Sequence, residues 1–137
     1  MKMRALVVSG KGKLKAIGEM LAKNGTYAAD IIPPAYSCEN ERLVILAVSG
    51  KGEPDDVLRR FCFELNKKKA QNVALLVDGD EKMAAKLLEV LRETGTNVID
   101  DIKYVKISGL PFFGGKVTDE EKQDLVAWVK SVIDRLQ

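Results

Sequence analysis

The sequence contains no histidine and only two cysteines among its 137 residues. Nucleophilic catalysis by a Ser-His or Cys-His pair is therefore excluded, because both pairs need an imidazole base. The cysteines, Cys38 and Cys62, form no Cys-x-x-Cys motif, so the sequence predicts neither a disulfide framework nor a zinc site. This cysteine usage indicates a reducing compartment, and we expect a cytoplasmic protein.

Long hydrophobic runs and an excess of one charge are missing as well. The first apolar run, residues 5–8, is too short for a signal peptide or a membrane span. The formal net charge of +2, from 22 Lys and Arg against 20 Asp and Glu, argues against nucleic acid or a membrane as partner. Length and composition predict one soluble domain over residues 1–137, and no pattern indicates an oligomeric state.

Short apolar runs alternate with segments of helical periodicity. Runs rich in Val, Ile and Leu predict strands over residues 3–8, 27–32, 43–48, 73–77 and 98–107. Apolar residues spaced three and four apart predict helices over residues 14–21, 58–65, 83–91 and 125–136. The order β-α-β-loop-β-α-β-α-β-α predicts an α/β fold with an open parallel sheet and helices on both faces. In such sheets ligands bind beyond the carboxyl ends of the strands.

The connection between the second and third predicted strands is unusually short. A parallel crossover normally takes roughly a dozen residues or more, and usually contains a helix. Here only residues 33–42 are available, and they begin with Pro33 and Pro34. We therefore predict that the second helix is reduced or absent.

The sequence Val-Ser-Gly-Lys-Gly occurs twice, at residues 8–12 and 48–52, each time at the end of a predicted strand. Its glycines leave backbone N–H groups accessible near a helix N-terminus, where the helix dipole favours an anion such as phosphate. Lys11, Lys13 and Lys15 add positive charge beside the first copy. The motif is neither a Walker A loop nor a dinucleotide fingerprint. The alternative interpretation is that the glycines only make tight turns.

At the first copy the chain resembles the flavodoxin family, and the resemblance extends in order over nearly the whole length. Flavodoxins open their first strand into a phosphate loop of the type Ser/Thr-x-Thr-Gly-x-Thr, which Ser9 and Gly12 match. Lys11 and Leu14 replace its two threonines, and with them two hydroxyl donors. The resemblance implies a flavodoxin-like sheet of five parallel strands in the order 2-1-3-4-5.

The later loops resemble those that hold the flavin ring. Flavodoxins often have an aromatic residue followed by Gly-x-Gly-Glu-Pro, which residues 50–54 match while Ser49 replaces the aromatic. Residues 73–80 resemble the fourth strand and its ring loop. The resemblance implies flavin mononucleotide (FMN) binding and electron transfer to a redox partner protein. The cofactor-binding residues that it implies are Ser9, Gly10, Lys11, Gly12, Lys13, Ser49, Gly50, Lys51, Gly52, Asp78 and Gly79.

Other interpretations stay open. The replaced threonines and the missing ring-stacking aromatic favour a flavin-less interaction or regulatory module, or a protein that binds another phosphorylated ligand. Phe112 and Phe113 lie in a glycine-flanked loop, which predicts either a lid over the strand ends or an anchor to the core. Helix capping accounts for the carboxylates near the strand ends, so no metal site is predicted.

Overall fold

A computed structural model describes residues 2–8, 12–24, 28–50, 52–105 and 117–137. Strands and helices alternate along these residues. The strands are β1 (Met3–Val7), β2 (Ala28–Ile31), β3 (Glu41–Gly50), β4 (Ala70–Gly79), β5 (Asn97–Val98) and β6 (Lys103–Val105). The helices are α1 (Gly12–Asn24), α2 (Asp56–Glu64), α3 (Glu81–Glu93) and α4 (Asp119–Asp134). Among the residues described, no helix is long and apolar enough to cross a membrane.

The strands form one parallel sheet in the order β2-β1-β3-β4-β5, with β6 also paired to β4, which confirms the predicted strand order. The fifth strand differs from the prediction of one continuous run. Val73 pairs with Val98 and Leu76 pairs with Lys103, so β5 and β6 are two pieces along the same side of β4. The residues between them, 99–102, form a bulge.

The bulge is held in place by α4. The indole N–H of Trp128 donates a 2.8 Å hydrogen bond to the carbonyl of Asp101, and the hydroxyl of Ser131 lies 3.3 Å from its carboxylate. Ile99, at the start of the bulge, is buried and donates its N–H to Val73. These contacts hold the bulge, and its two aspartates, Asp100 and Asp101, are of a residue type that strands disfavour.

Helices cover both faces of the sheet, as predicted. Ala5 and Val7 of β1 pack with α1 and α4, whereas Leu6 belongs to the cluster beneath α2 and α3. Residues 43–48 of β3 are all fully buried, which explains their continuous apolar sequence. The described part of the sheet is therefore covered on both sides by helices.

Residues 32–40, which connect β2 to β3, contain no helix, and this confirms the prediction for the second helix. Ile31 is level with Val7, and β3 begins at Glu41, two residues before the partner of Met3, so the connection must return along about six strand residues, roughly 20 Å. Nine helical residues span only about 14 Å, whereas extended backbone spans up to about 30 Å. Only an extended connection is therefore long enough to join β2 to β3.

Side chains from β1 and from the residue before it hold this crossing on the sheet. The Arg4 guanidinium donates a 2.6 Å hydrogen bond to the carbonyl of Tyr36 and lies 3.5 Å from the buried carboxylate of Glu41. The Lys2 ammonium donates to the carbonyl of Glu39 at 2.6 Å. These contacts replace the internal hydrogen bonds that a crossover helix would have made.

The strand β2 lies at the edge of the sheet, and Asp30 organises its end. The carboxylate of Asp30 accepts hydrogen bonds from the N–H groups of Ile31 at 2.8 Å and Ala35 at 3.2 Å. The next N–H group, of Ile32, donates to Val7 on β1 at 2.9 Å. Asp30 thus ends the strand and starts the crossing.

Candidate functional site

The two copies of Val-Ser-Gly-Lys-Gly begin side by side. The strand partners Val7 and Ala47 directly precede them, and the N–H of Val8 donates to the carbonyl of Ala47 at 3.1 Å. The copies are 40 residues apart in the sequence, and so are these strand partners. The last glycine of each copy, Gly12 or Gly52, has a φ of +71°. Both loops therefore end in the left-handed conformation that glycine adopts without steric cost.

In the second copy a backbone N–H group binds a carboxylate. The nitrogen of Gly52 lies 3.2 Å from each carboxylate oxygen of Asp80. Asp80 is also the N-cap of α3 and accepts a 2.9 Å hydrogen bond from the N–H of Met83. The hydrogen bonds from Met83 and Gly52 lower the pKa of Asp80, so its carboxyl group is ionised at neutral pH. The end of this loop therefore holds an anion that the chain itself supplies.

The first copy leads into a helix with a different N-terminus. The first turn of α1 contains no acidic residue, whereas acidic residues are present in the first turns of α2, α3 and α4. Such residues compensate the positive end of the helix dipole. The first turn of α1 itself therefore supplies no negative charge to the positive end of its dipole.

Lys13, in the first turn of α1, already has an anionic neighbour. Its ammonium lies 2.5 Å from the carboxylate of Glu121, and its side chain is only 11% exposed. Glu121 belongs to the first turn of α4, where it forms a capping box with Thr118. The contact with Lys13 lowers the pKa of Glu121. The Lys13 ammonium can therefore bind an anion at α1 only if it also keeps its contact with Glu121 or gives that contact up.

The carboxyl ends of β3 and β4 contact each other directly. The Ser49 hydroxyl donates a 3.0 Å hydrogen bond to Asp78, and the strand pairing continues to Gly50 and Gly79. A Cβ atom on Gly79 would lie 2.1 Å from the carbonyl oxygen of Gly50. Glycine at position 79 is therefore what lets the strand ends approach. The loops beyond these strand ends are joined by the hydrogen bonds from Gly52 to Asp80.

Glu53, which directly follows the second copy, forms ion pairs with two cationic side chains. The carboxylate of Glu53 binds the guanidinium of Arg59 on α2 at 2.8 Å and the ammonium of Lys86 on α3. The second loop is thus tied to both helices on its side of the sheet. This arrangement fixes the position of Gly52 relative to α3.

Seven of the predicted site residues belong to the described part of the chain, and they lie at the carboxyl edge of β1, β3 and β4. They are Gly12, Lys13, Ser49, Gly50, Gly52, Asp78 and Gly79. The other predicted residues lie outside the described ranges. They are Ser9, Gly10, Lys11 and Lys51, together with the Phe112 and Phe113 of the predicted lid.

Asp80 and Glu121 also lie at this edge but are not among the predicted site residues, although Asp80 ends the segment 73–80 that resembles the ring loop. The Asp80 position next to a predicted helix is a recognisable cap signal. Its contact with Gly52, however, joins segments 28 residues apart. The contact of Glu121 with Lys13 joins the first and last helices. Local sequence patterns carry no signal for such pairings.

A parallel sheet in this strand order, with helices on both faces, defines a flavodoxin-like fold. Consistent with this, the chain is similar to the crystal structure of a flavodoxin-like domain from a Synechococcus sp. protein, with a TM-score of 0.54. The sequences are 18% identical, and the match covers 95% of this chain and 99% of that domain. No protein-family model and no curated protein matches the sequence. The chain has a flavodoxin-like fold.

Proposed function

We propose that this chain binds a phosphorylated ligand at the carboxyl edge of its sheet, with the phosphate at the N-terminus of α1. The pair of matching loops carries the proposal. The second loop holds the Asp80 carboxylate on the N–H of Gly52, while the first ends at Gly12 with the same φ and leads into a helix without an acidic first turn. An external anion would take the equivalent place at the first loop.

FMN is the ligand that the flavodoxin-like fold suggests first, and electron transfer with a redox partner protein is the corresponding function. When bound, FMN supplies the redox chemistry, and the chain supplies binding and orientation. Residues 9–13 would hold the phosphate, and residues 49–52 and 78–79 would face the ring. Ring binding between these loops requires the hydrogen bonds between Gly52 and Asp80 to break.

A second candidate is a flavin-less module that binds another phosphorylated ligand or a partner protein. The hydrogen bonds from Gly52 to Asp80 favour it, because they join the loops after β3 and β4, between which the resemblance places the ring. A phosphorylated ligand without a large ring system can reach α1 while these contacts stay intact. The two candidates share the phosphate site. They differ in whether a flavin ring is bound between the loops after β3 and β4.

Flavin fluorescence tests the first candidate. Purified protein without cofactor would be titrated into FMN and, in parallel, into riboflavin, which lacks the phosphate. We expect micromolar protein to quench FMN fluorescence and to bind riboflavin at least about tenfold more weakly, a difference of about 1.4 kcal/mol. If micromolar protein leaves FMN fluorescence unchanged, the flavin proposal is wrong.

A thermal-shift experiment tests the phosphate site without assuming a flavin. Inorganic phosphate and a panel of phosphorylated metabolites would be compared with the dephosphorylated form of each metabolite. A ligand that binds the folded state preferentially raises the unfolding midpoint. We expect shifts only from the phosphorylated member of a pair. If none of the phosphorylated compounds raises the midpoint, the phosphate site is overturned.

A further inference from the structure

A cavity of about 120 Å³ lies between the extended connection that joins β2 to β3 and the C-terminal end of α2. We propose that this cavity binds a small zwitterion of the amino-acid class, with its ammonium group at Glu64 and its carboxylate at Lys69. The cavity lies on the face of the sheet opposite to α1, because Cys38 and Leu65 in its wall belong to the cluster beneath α2 and α3. It is therefore separate from the proposed phosphate site.

The missing crossover helix explains why this space is open. Residues 32–40 contain no helix, and an extended chain fills less of the space beside α2 than a helix with a diameter of about 10 Å. Protein interiors otherwise contain few voids larger than a water molecule. Pro33 and Ser37, which line the cavity, are exposed, so the cavity opens to the solvent. A small molecule thus has both room and a way in.

The size and the apolar lining of the cavity restrict what it can hold. Pro33, Pro34, Phe61 and Leu65 supply apolar surface. The volume is well below the range of about 300–1,000 Å³ that is typical of sites for drug-sized ligands. A cavity of about 150 Å³ holds one benzene molecule, so this cavity suits a ligand with about six to eight non-hydrogen atoms. An amino acid with a short aliphatic side chain has this size.

Two opposite charges line the cavity without ion-pair partners. Lys69 is half-buried and Glu64 is exposed. Within the part of the chain that the structure describes, neither side chain forms an ion pair, with the other or with a third residue. A zwitterion can form charge-assisted hydrogen bonds with both side chains at once. A simple anion or cation can satisfy only one of them.

The thiol of Cys38, in the cavity wall, shows which other charges are close. Burial raises the pKa of this thiol and Glu41 raises it further, whereas Arg4 and Lys69 act in the opposite direction. Arg4 lies 3.5 Å from the carboxylate of Glu41 and also donates to the carbonyl of Tyr36. Of the three charged groups that act on Cys38, Lys69 is therefore the one whose charge no described residue pairs with. A ligand carboxylate would supply that partner.

An NMR titration of the full chain, followed through its backbone amides, tests this site. Valine carries both charges, isovalerate lacks only the ammonium group, and isobutylamine lacks only the carboxylate. The three compounds would be compared on the wild type, K69M and E64Q, each of which removes one charge of the cavity. K68M is the matched control, because Lys68 is the preceding, exposed lysine and does not line the cavity.

We expect millimolar valine to shift the amides of Ser37, Cys38 and Leu65. Each single-charge analogue should bind at least about fivefold more weakly, the effect of one ion pair at about 4 Å in water. K69M should weaken the binding of valine and leave that of isobutylamine unchanged. E64Q should weaken the binding of valine and leave that of isovalerate unchanged. K68M should match the wild type.

Three results would overturn the proposal. The first is that millimolar valine shifts none of these amides, which would mean that the cavity holds only water. The second is that isovalerate or isobutylamine binds as tightly as valine. The third is that K68M weakens valine binding as much as K69M does, which would show a general effect of surface charge. None of these results bears on the phosphate titrations at α1, so the proposed function stands or falls separately.

Discussion

The hydroxyl of Ser49 donates a 3.0 Å hydrogen bond to the carboxylate of Asp78, its partner in register on the neighbouring strand. The Asp78 side chain is only 5% exposed, so the hydroxyl replaces part of the water that the carboxylate loses. This bond lies one residue before the last strand pair, where Gly50 meets Gly79. The end of the central strand pair is therefore closely packed, and substitution of its glycine tests how closely.

Gly79→Ala is expected to lower the free energy of unfolding by about 3 kcal/mol. The added Cβ would lie 2.1 Å from the carbonyl oxygen of Gly50, and no side-chain rotation can relieve a contact with backbone. Gly18→Ala is the control, because its Cβ would meet side chains only, those of Val7 at 2.7 Å and Ala29 at 4.0 Å. Urea unfolding measures both. A Gly79→Ala variant no less stable than Gly18→Ala would contradict the packing described here.

Gly12→Ala should cost stability and also weaken phosphate binding. The φ of Gly12 is +71°, and among the described atoms none lies within 4 Å of an added Cβ, so the cost of about 1–2 kcal/mol comes from the backbone alone. Gly95→Ala is the matched control, with a φ of +85° and equally open surroundings at the end of α3. Urea unfolding should give similar losses for both variants. Phosphate titration should show weaker binding for Gly12→Ala only, and equal binding by both would count against the site.

The contact between Lys13 and Glu121 should make stability depend on pH. Lys13 lowers the pKa of Glu121 in the folded state, so the stabilisation is complete above the ordinary value of 4.5 and disappears as the pH falls through the lowered pKa. Because Glu121 is partly exposed, we expect about 0.2–1 kcal/mol. Urea unfolding of the wild type and Glu121→Gln would be compared from neutral pH down to about pH 3, and the difference between them should shrink as the pH falls below 4.5.

Glu120→Gln provides the control for this pH dependence. It removes a negative charge from the same turn of α4, but the described ion pair of Lys13 is with Glu121. Its stability difference from the wild type should change less over this pH range. A Glu121→Gln difference that stays constant down to about pH 3 would show that the contact contributes nothing in solution.

Glu121→Gln should also tighten phosphate binding at α1. The substitution frees the Lys13 ammonium from its carboxylate and removes a negative charge near the proposed site. We expect roughly fivefold tighter binding at low salt and a smaller gain at high salt, because ions screen partly exposed charges. Lys13→Gln should weaken binding. Phosphate titrations at two salt concentrations measure both effects, and a gain that ignores salt would argue against an electrostatic cause.

Asn72→Ala should be strongly destabilising. The fully buried Asn72 amide donates to the carbonyls of Arg42 and Gln137 and accepts from the side chain of Asn97 and the N–H of Gln137. Its removal leaves these groups unsatisfied, at a cost of about 2–4 kcal/mol in the free energy of unfolding. The neighbouring Gln71 also donates to Gln137 but is partly exposed, so Gln71→Ala should cost less than about 1 kcal/mol. Similar losses in urea would contradict this ranking.

Much of the fold follows from local sequence. The apolar runs of β3 and β4 predict buried parallel strands, and the short connection through Pro33 and Pro34 predicts the missing helix. The break in the fifth strand has a local signal in Asp100 and Asp101, because strands disfavour aspartate, but the predicted strand ran through both residues. The hydrogen bonds from Trp128 and Ser131 to Asp101 join segments about 30 residues apart, so local sequence does not reveal them.

The candidate site shows the same division. The repeated glycine motif predicts two turns at the carboxyl edge, and Gly12 and Gly52 do share one backbone conformation. The motif does not reveal that Asp80 occupies the second turn, or that Glu121 binds Lys13. Both contacts arise when separate elements are brought together by the sheet, so they distinguish the two copies only in the folded chain.

Asp30 lies on the edge strand β2, where it can affect whether strands of other copies of the chain pair with the sheet. Because the N–H of Ile32 points to β1, the N–H of Ile31 points outward, and Asp30 accepts it. An approaching strand therefore meets a carboxylate where it would need a free donor. The side chain that begins the crossing thereby also discourages intermolecular sheet growth, and Asp30→Ala should increase light scattering in concentrated samples. Unchanged scattering would show that the edge is protected by other means.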